Sequence, residues 1–153
     1  MDTKIYTLVQ ASKQKLIGEV LKKHARLRPN HIALEAQSRA WTFEELNREV
    51  NQLANSLLKI GVKRGDRIAV LTQNRAECSH ILYGAGKIGA ITAFVNWRYT
   101  SQEMVEALQV ISPETVIVSS EYFDRIQNIM DKTPYLKRVI ILDDMFDKYE
   151  SNR

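Results

Sequence analysis

Apolar positions along this chain switch between helical and strand spacing from one end to the other. Leu16, Val20, Leu21 and Ala25 recur three and four residues apart, predicting a first helix that Pro29 closes. Ile32 to Glu35 reads as a short strand, and the polar Gln37-Ser38-Arg39 as a turn back toward Trp41. Thr42 followed by Glu45 is a capping box, with Trp41 and Leu46 placed to staple the helix entrance. Leu46, Val50, Leu53, Ala54 and Leu57 form the apolar stripe of that second helix. Glu45, Asn47, Arg48, Glu49 and Gln52 are expected to face water. Gly61 falls where a left-handed C-terminal cap is needed.

A tight turn over Val62 to Asp66 leads into a strand from Arg67 to Leu71. Asn74 and Glu77 repeat the cap spacing and predict a helix of about twelve residues. Ala90 to Val95 is rich in β-branched and aromatic side chains and reads as a strand. Thr100 with Glu103 opens a helix through Met104, Leu108 and Ile111. Thr115 to Val118 is almost wholly apolar, which marks a strand buried on both faces. A helix from about Glu121 to Asp131 and a strand from Arg138 to Leu142 complete the series. Four buried strands separated by helices predict an α/β fold: a mostly parallel sheet with helices on both faces, joined by right-handed crossovers.

Composition narrows the class without changing that architecture. The chain has 153 residues, 44% hydrophobic and 26% charged, which excludes disorder as a general description. No apolar run reaches the roughly 18–20 residues of a membrane helix. The opening residues lack the apolar segment of a signal peptide. One cysteine, Cys78, makes an internal disulfide impossible, so a cytoplasmic location is expected, with Cys78 as a small buried hydrophobe. Seven Lys/Arg face two Asp/Glu in residues 1–31, a net of +5, and the rest of the chain is nearly neutral. The organisation expected is a basic N-terminal helix (1–28), an α/β subdomain (29–142) and a polar tail (143–153) where a longer parent chain would continue. The basic helix reads as a solvated face, with weak contact to an acidic membrane surface as its functional counterpart. Nucleic acid is not expected, because no aromatic interleaves those bases between Gln10 and Asn30.

Gly84, Gly86 and Gly89 spell G-x-G-x-x-G, the dinucleotide fingerprint. In such sites the glycines leave a strand and open a helix. Here they follow a helix start and precede a strand, and no acidic residue lies about 20 positions on. The expectation is close packing of a helix end, with Gly89 as its cap. Ser79 and His80 point about 100° apart on a helix and make no nucleophile–base pair by themselves. His24, His31 and His80 lack metal-ligand spacing. The residues themselves therefore give a fold class with no catalytic constellation and no metal site.

In sequence order, several segments match one family. They are Pro29-Asn30-His31-Ile32-Ala33, Trp41-Thr42-Phe43-Glu44-Glu45-Leu46, Leu53-Ala54 with Leu57, and Gly61-Val62-Lys63-Arg64-Gly65-Asp66-Arg67-Ile68-Ala69. Asn74 with Glu77, Ala85 with Gly89-Ala90, and Asn96 with Thr100 and Glu103 continue the order. Over about residues 15–142 the chain resembles the N-terminal part of the adenylate-forming (AMP-forming) acyl-CoA synthetases, the ATP-dependent acid–thiol ligases of the ANL superfamily. The resemblance implies activation of a carboxylate by ATP to an acyl-adenylate, then transfer to CoA, with ATP, Mg and CoA as cofactors of the full-length enzyme. Asn96 is more similar to fatty-acid-type ligases than to peptide-synthetase adenylation domains, and Asn96 and Arg98 are implied on the CoA side. Phe94-Val95-Asn96 replaces the family's Pro-x-Asn, which is expected to loosen that turn. The family's phosphate loop, adenine-binding Tyr-Gly-x-Thr-Glu, ribose-binding Asp and catalytic Lys are not in these 153 residues, so the chain alone is expected to be inactive. The expected partners are the remainder of the ligase or a second copy of the chain. The alternative is a stand-alone binding or assembly module derived from the same fold.

Overall fold

A computed structural model describes residues 17–36 and 39–142. The described residues gather into two compact units. One runs through Arg64 and includes Arg75–Ala90; the other comprises Gly65–Asn74 and continues from Ile91.

In the first unit, α1 (Ile17–Leu27) is followed by a hairpin of β1 (Ile32–Ala36) and β2 (Arg39–Thr42), then α2 (Phe43–Lys59) and α3 (Ala76–Ile88). The hairpin is antiparallel, with Leu34 opposite Trp41; residues 37 and 38 of its expected turn lie outside the described residues. The Thr42–Glu45 capping box forms in both directions, and Trp41 and Leu46 beside it are buried. The backbone N–H groups of Phe43 and Glu44 find further acceptors in the carbonyls of His31 and Pro29. Gly61 adopts φ +88° just past α2, as its position predicts.

The α1 stripe is only partly as expected. Gly18 and Leu21 are buried but Val20 is exposed, and Leu16 lies outside the described residues. The reason is a close crossing of α1 with α3. A Cβ on Gly18 would sit 2.8 Å from the Lys87 Cα, and one on Gly86 would sit 2.3 Å from Ile17 Cγ2. A glycine, invisible to a hydrophobic pattern, thereby takes the central place in the contact.

The second unit is a four-stranded, wholly parallel sheet in the order β4-β3-β5-β6, with β3 (Arg67–Leu71), β4 (Ile91–Phe94), β5 (Thr115–Ser119) and β6 (Arg138–Leu142). The α/β class and parallel sheet are as expected, with five α-helices among the described residues. Uniform burial of four strands is not. Every residue of β5 and all but the first of β3 are buried, whereas the edge strands β4 and β6 are half-exposed. Among the described residues, only the two central strands have neighbours on both sides. On one face, α4 (Ser101–Ile111) supplies Met104, Val105 and Leu108 to a core with Ala69, Leu71, Val116 and Val118.

The helix expected from Glu121 to Asp131 is broken into a 3₁₀ turn (Ser120–Tyr122), α5 (Phe123–Gln127) and a second 3₁₀ turn (Met130–Lys132). Bonds from Ile129 N–H to the Ile126 carbonyl and from Lys132 N–H to that of Ile129 tighten the chain to three residues per turn. This lets Tyr122, Ile126, Ile129 and Leu136 all reach the same core.

Candidate functional site

In open parallel sheets the carboxyl ends of the strands are where ligands are met. At that end of the second unit, three segments converge: Thr72-Gln73 after β3, residues 95–100 after β4, and Ser119 at the end of β5 with the 3₁₀ turn that follows it. The Thr72 and Ser119 hydroxyls, both buried, hydrogen-bond to each other at 2.5 Å and tie the ends of β3 and β5 together. The Gln73 amide donates to the Tyr122 hydroxyl at 2.8 Å. The Trp97 and Tyr122 rings stack with centroids 5.9 Å apart, and the Arg98 guanidinium lies 4.2 Å above the indole.

The loop after β4 is not loose, despite lacking the family's proline. The Arg125 guanidinium, from α5, donates to the backbone carbonyls of both Trp97 and Tyr99. Asn96 accepts the Arg98 N–H on Oδ1 at 3.0 Å, and its own carbonyl accepts from Tyr99 at 3.1 Å. The Thr100–Glu103 capping box then anchors the loop's far end to α4. Hydrogen bonds from the Thr100 backbone and hydroxyl hold the Glu103 carboxyl below the ordinary glutamate range. A tertiary clasp from Arg125 thus does what a proline would do through restricted backbone torsion.

Asn96 and Arg98, the two residues singled out in the sequence, are both exposed on this loop. The arrangement offers the exposed Arg98 guanidinium, backed by the indole it covers, for recognition of an anionic or planar group. Sequence reasoning missed Arg125, Trp97, Tyr122 and the Thr72–Ser119 pair. An arginine 26 residues beyond Tyr99 carries no local signal, whereas a tryptophan three residues past the end of β4 does.

A second polar cluster lies in the first unit and corrects one expectation. Glu49 does not face water. It accepts from Arg39 Nη2 at 2.6 Å, from Trp41 Nε1 at 2.9 Å, and stands 3.1 Å from His80 Nε2. Burial alone would raise its pKa, but the hydrogen bonds from Arg39 and Trp41, the Arg39 charge and His80 together leave it lowered. His80 Nδ1 meets the Ala76 carbonyl at 3.0 Å, so both ring nitrogens face oxygen acceptors, and the ring packs edge-on to Trp41 at 5.7 Å. His80 is thereby built into the packing of α2, α3 and the hairpin.

Two further expectations fail locally. Asn74 does not cap α3: the N-cap is Arg75, with no side-chain cap bond, and the Arg75 guanidinium binds both Glu77 oxygens at 3.0 Å. That fork occupies the carboxylate a capping box would need. Cys78 is half-buried rather than buried. The G-x-G-x-x-G glycines are helix-packing residues: Gly84 meets Leu53, Gly86 meets Ile17, and Gly89, at φ +74°, caps α3 against Arg64. Among the described residues, no group of three His, Cys, Asp or Glu side chains is placed to hold a metal ion, and no helix is long and apolar enough to cross a membrane.

Residues 21–153 match the family model described as AMP-binding enzyme. The chain is 30% identical over 120 residues to a medium/long-chain-fatty-acid–CoA/3-oxocholest-4-en-26-oate–CoA ligase of Mycobacterium marinum, covering 78% of this chain and 22% of that protein. It is 28% identical over 131 residues to a 3-oxocholest-4-en-26-oate–CoA ligase of Rhodococcus rhodochrous, covering 86% and 24%. The solved structure of a Mycobacterium tuberculosis fatty acyl CoA synthetase superposes with a TM-score of 0.81 at 28% identity, over 91% of this chain and 29% of that one. The chain spans about a quarter of the length of the curated relatives it matches. With the family model matching nearly the whole sequence and acyl-CoA ligases matching in both sequence and fold, this chain belongs to the AMP-binding enzyme family.

Proposed function

We propose that this chain forms the first α/β portion of an ATP-dependent acid–thiol ligase, which converts a carboxylate, ATP and CoA to acyl-CoA, AMP and pyrophosphate. The acid is of the fatty-acid type, the compartment is the cytoplasm, and the chain is inactive by itself. The observation that carries this reading is the family match over residues 21–153, joined by relatives named as fatty-acid and steroid-acid CoA ligases. The chain's own chemistry agrees with a supporting role. Acyl and phosphoryl transfer need preorganised positive charge on the transferring group, together with the groups that move protons. The strand-end site offers a recognition surface, the exposed Arg98 guanidinium over Trp97.

In this reading Asn96 and Arg98 lie on the CoA side. The exposed Arg98 guanidinium, held over Trp97 on a loop clasped by Arg125, is suited to a nucleotide phosphate. The rest of the ligase is the natural partner. The test is acid-dependent exchange of pyrophosphate into ATP by the purified chain, together with CoA titration followed by tryptophan fluorescence. No exchange is expected, and measurable turnover would overturn the claim of inactivity. Arg98→Gln is expected to weaken CoA binding several-fold; an unchanged titration removes Arg98 from the site.

A second reading, a stand-alone assembly module, is favoured by the edge strands. Ile91 and Phe94 on β4 and Ile141 on β6 are exposed apolar side chains beside strand edges that have no partner among the described residues. Concentration-dependent sedimentation toward a dimer would support it, and a monomer at every concentration would remove it.

A further inference from the structure

The first unit carries a polar groove with no part in that reading. Its floor is the tight α1–α3 crossing at Gly18 and Gly86, and its walls carry Glu19 and Lys22 from α1, Asn47 and Asn51 from α2, and Lys87 from α3. Lys87 Nζ donates to Asn47 Oδ1 at 2.5 Å and to Asn51 Oδ1 at 2.6 Å. Two of its three N–H bonds are thus spent on neutral carbonyls, and no carboxylate among the described residues pairs with it. Both carboxamides turn their oxygens to the ammonium, which leaves their NH₂ groups without an acceptor among the described residues. Lys22 makes no hydrogen bond or ion pair with another described residue. Its charge acts on Lys87 and, after partial burial, is the second influence lowering that amine's pKa. Glu19 is the one acidic side chain on the walls. The groove continues along α1, past Lys23 and Arg26 and the Glu44 side chain of α2.

We infer that this groove binds a phosphate monoester, held between the Lys22 and Lys87 ammonium groups with the Asn47 and Asn51 NH₂ groups as additional donors. A dianion there would relieve the repulsion between two lysines and use donors that the fold leaves over. Free phosphate and the headgroup of an acidic lipid share this chemistry.

The test is titration of the whole chain with inorganic phosphate at pH 7 and fixed ionic strength, followed by amide NMR. Saturable shifts are expected at the Asn47 and Asn51 side chains and at Lys87. Lys22→Gln, an exposed change that leaves the Asn contacts intact, should weaken binding by about three- to tenfold, the size of one ordinary solvent-exposed hydrogen bond. Lys59→Gln, elsewhere on α2, should leave it unchanged. In a parallel arm, the chain is floated with phosphatidylcholine vesicles with and without phosphatidic acid. Binding confined to the acidic vesicles and lost in Lys22→Gln identifies the headgroup as the source. The proposal is overturned by shifts that do not saturate in the groove and vesicle binding indifferent to Lys22, or by equal effects of Lys22→Gln and Lys59→Gln.

Discussion

The two units of this chain are held together by different means. In the second, a parallel sheet buries two central strands completely, and Ile68, Val70, Val116 and Val118 are all fully excluded from water. Its stability is dominated by apolar area. The first also buries apolar side chains, among them Leu46, Val50, Leu57 and Ile81, but adds helix crossings at glycines and polar anchors, Glu49 to Arg39, Trp41 and His80, and Lys87 to Asn47 and Asn51. Such anchors fix geometry at modest net gain and are costly to break singly. One chain thus contains a unit that should respond mainly to changes in volume and a unit that should respond to changes in charge as well.

The largest test of this contrast is Ile117→Ala in β5, which empties space at the centre of the sheet and should cost about 2–5 kcal/mol in urea unfolding. A loss under 1 kcal/mol would mean the central strands are not the apolar core of that unit. Next is Gly18→Ala, whose methyl would meet the Lys87 backbone and should cost about 1–3 kcal/mol through overpacking. Hydrogen exchange should show faster opening in α1 and α3 and leave β5 unchanged.

Glu49→Gln keeps the shape of the hub and removes its charge, and should cost about 1–3 kcal/mol at pH 7. The Glu49 carboxyl titrates below its ordinary value of 4.5 in the folded chain. Its contribution is therefore fully present above that value and is lost as pH falls through the lowered one. Between pH 6 and pH 3, roughly, the melting temperature of the variant should fall less steeply than that of the parent. Parallel slopes would show that the hub's charge does not stabilise the fold. The smallest and sharpest test compares Thr42→Ala with Thr100→Ala. The two capping boxes have the same design, one in each unit, and each should cost about 1 kcal/mol. Exchange protection lost only in the mutated unit would show that the units open independently, and a uniform loss would show that they open together.

The same contrast explains which features were legible in advance. Both capping boxes, the Gly61 cap and the strand from Arg138 to Leu142 came directly from local pattern. They depend on residues within a few positions of one another. The Asn74 cap was misplaced because Asn74 and Arg75 compete for the helix start, and the Arg75–Glu77 fork decides it. Glu49 reads as a solvent-facing glutamate on its own helix, and its partners are 8, 10 and 31 residues away.

By itself, the sequence determined the alternation of elements, the helix entrances at Thr42 and Thr100 and the apolar central strands, because capping and hydrophobic period act over one or two turns of chain. Tertiary structure alone decided that Gly18 rather than Val20 faces a neighbouring helix, that Arg125 clasps the loop bearing Asn96 and Arg98, and that Lys87 ends between two asparagines. Those outcomes depend on which surfaces meet, and a pattern confined to one element contains no information about the side chain that arrives from another.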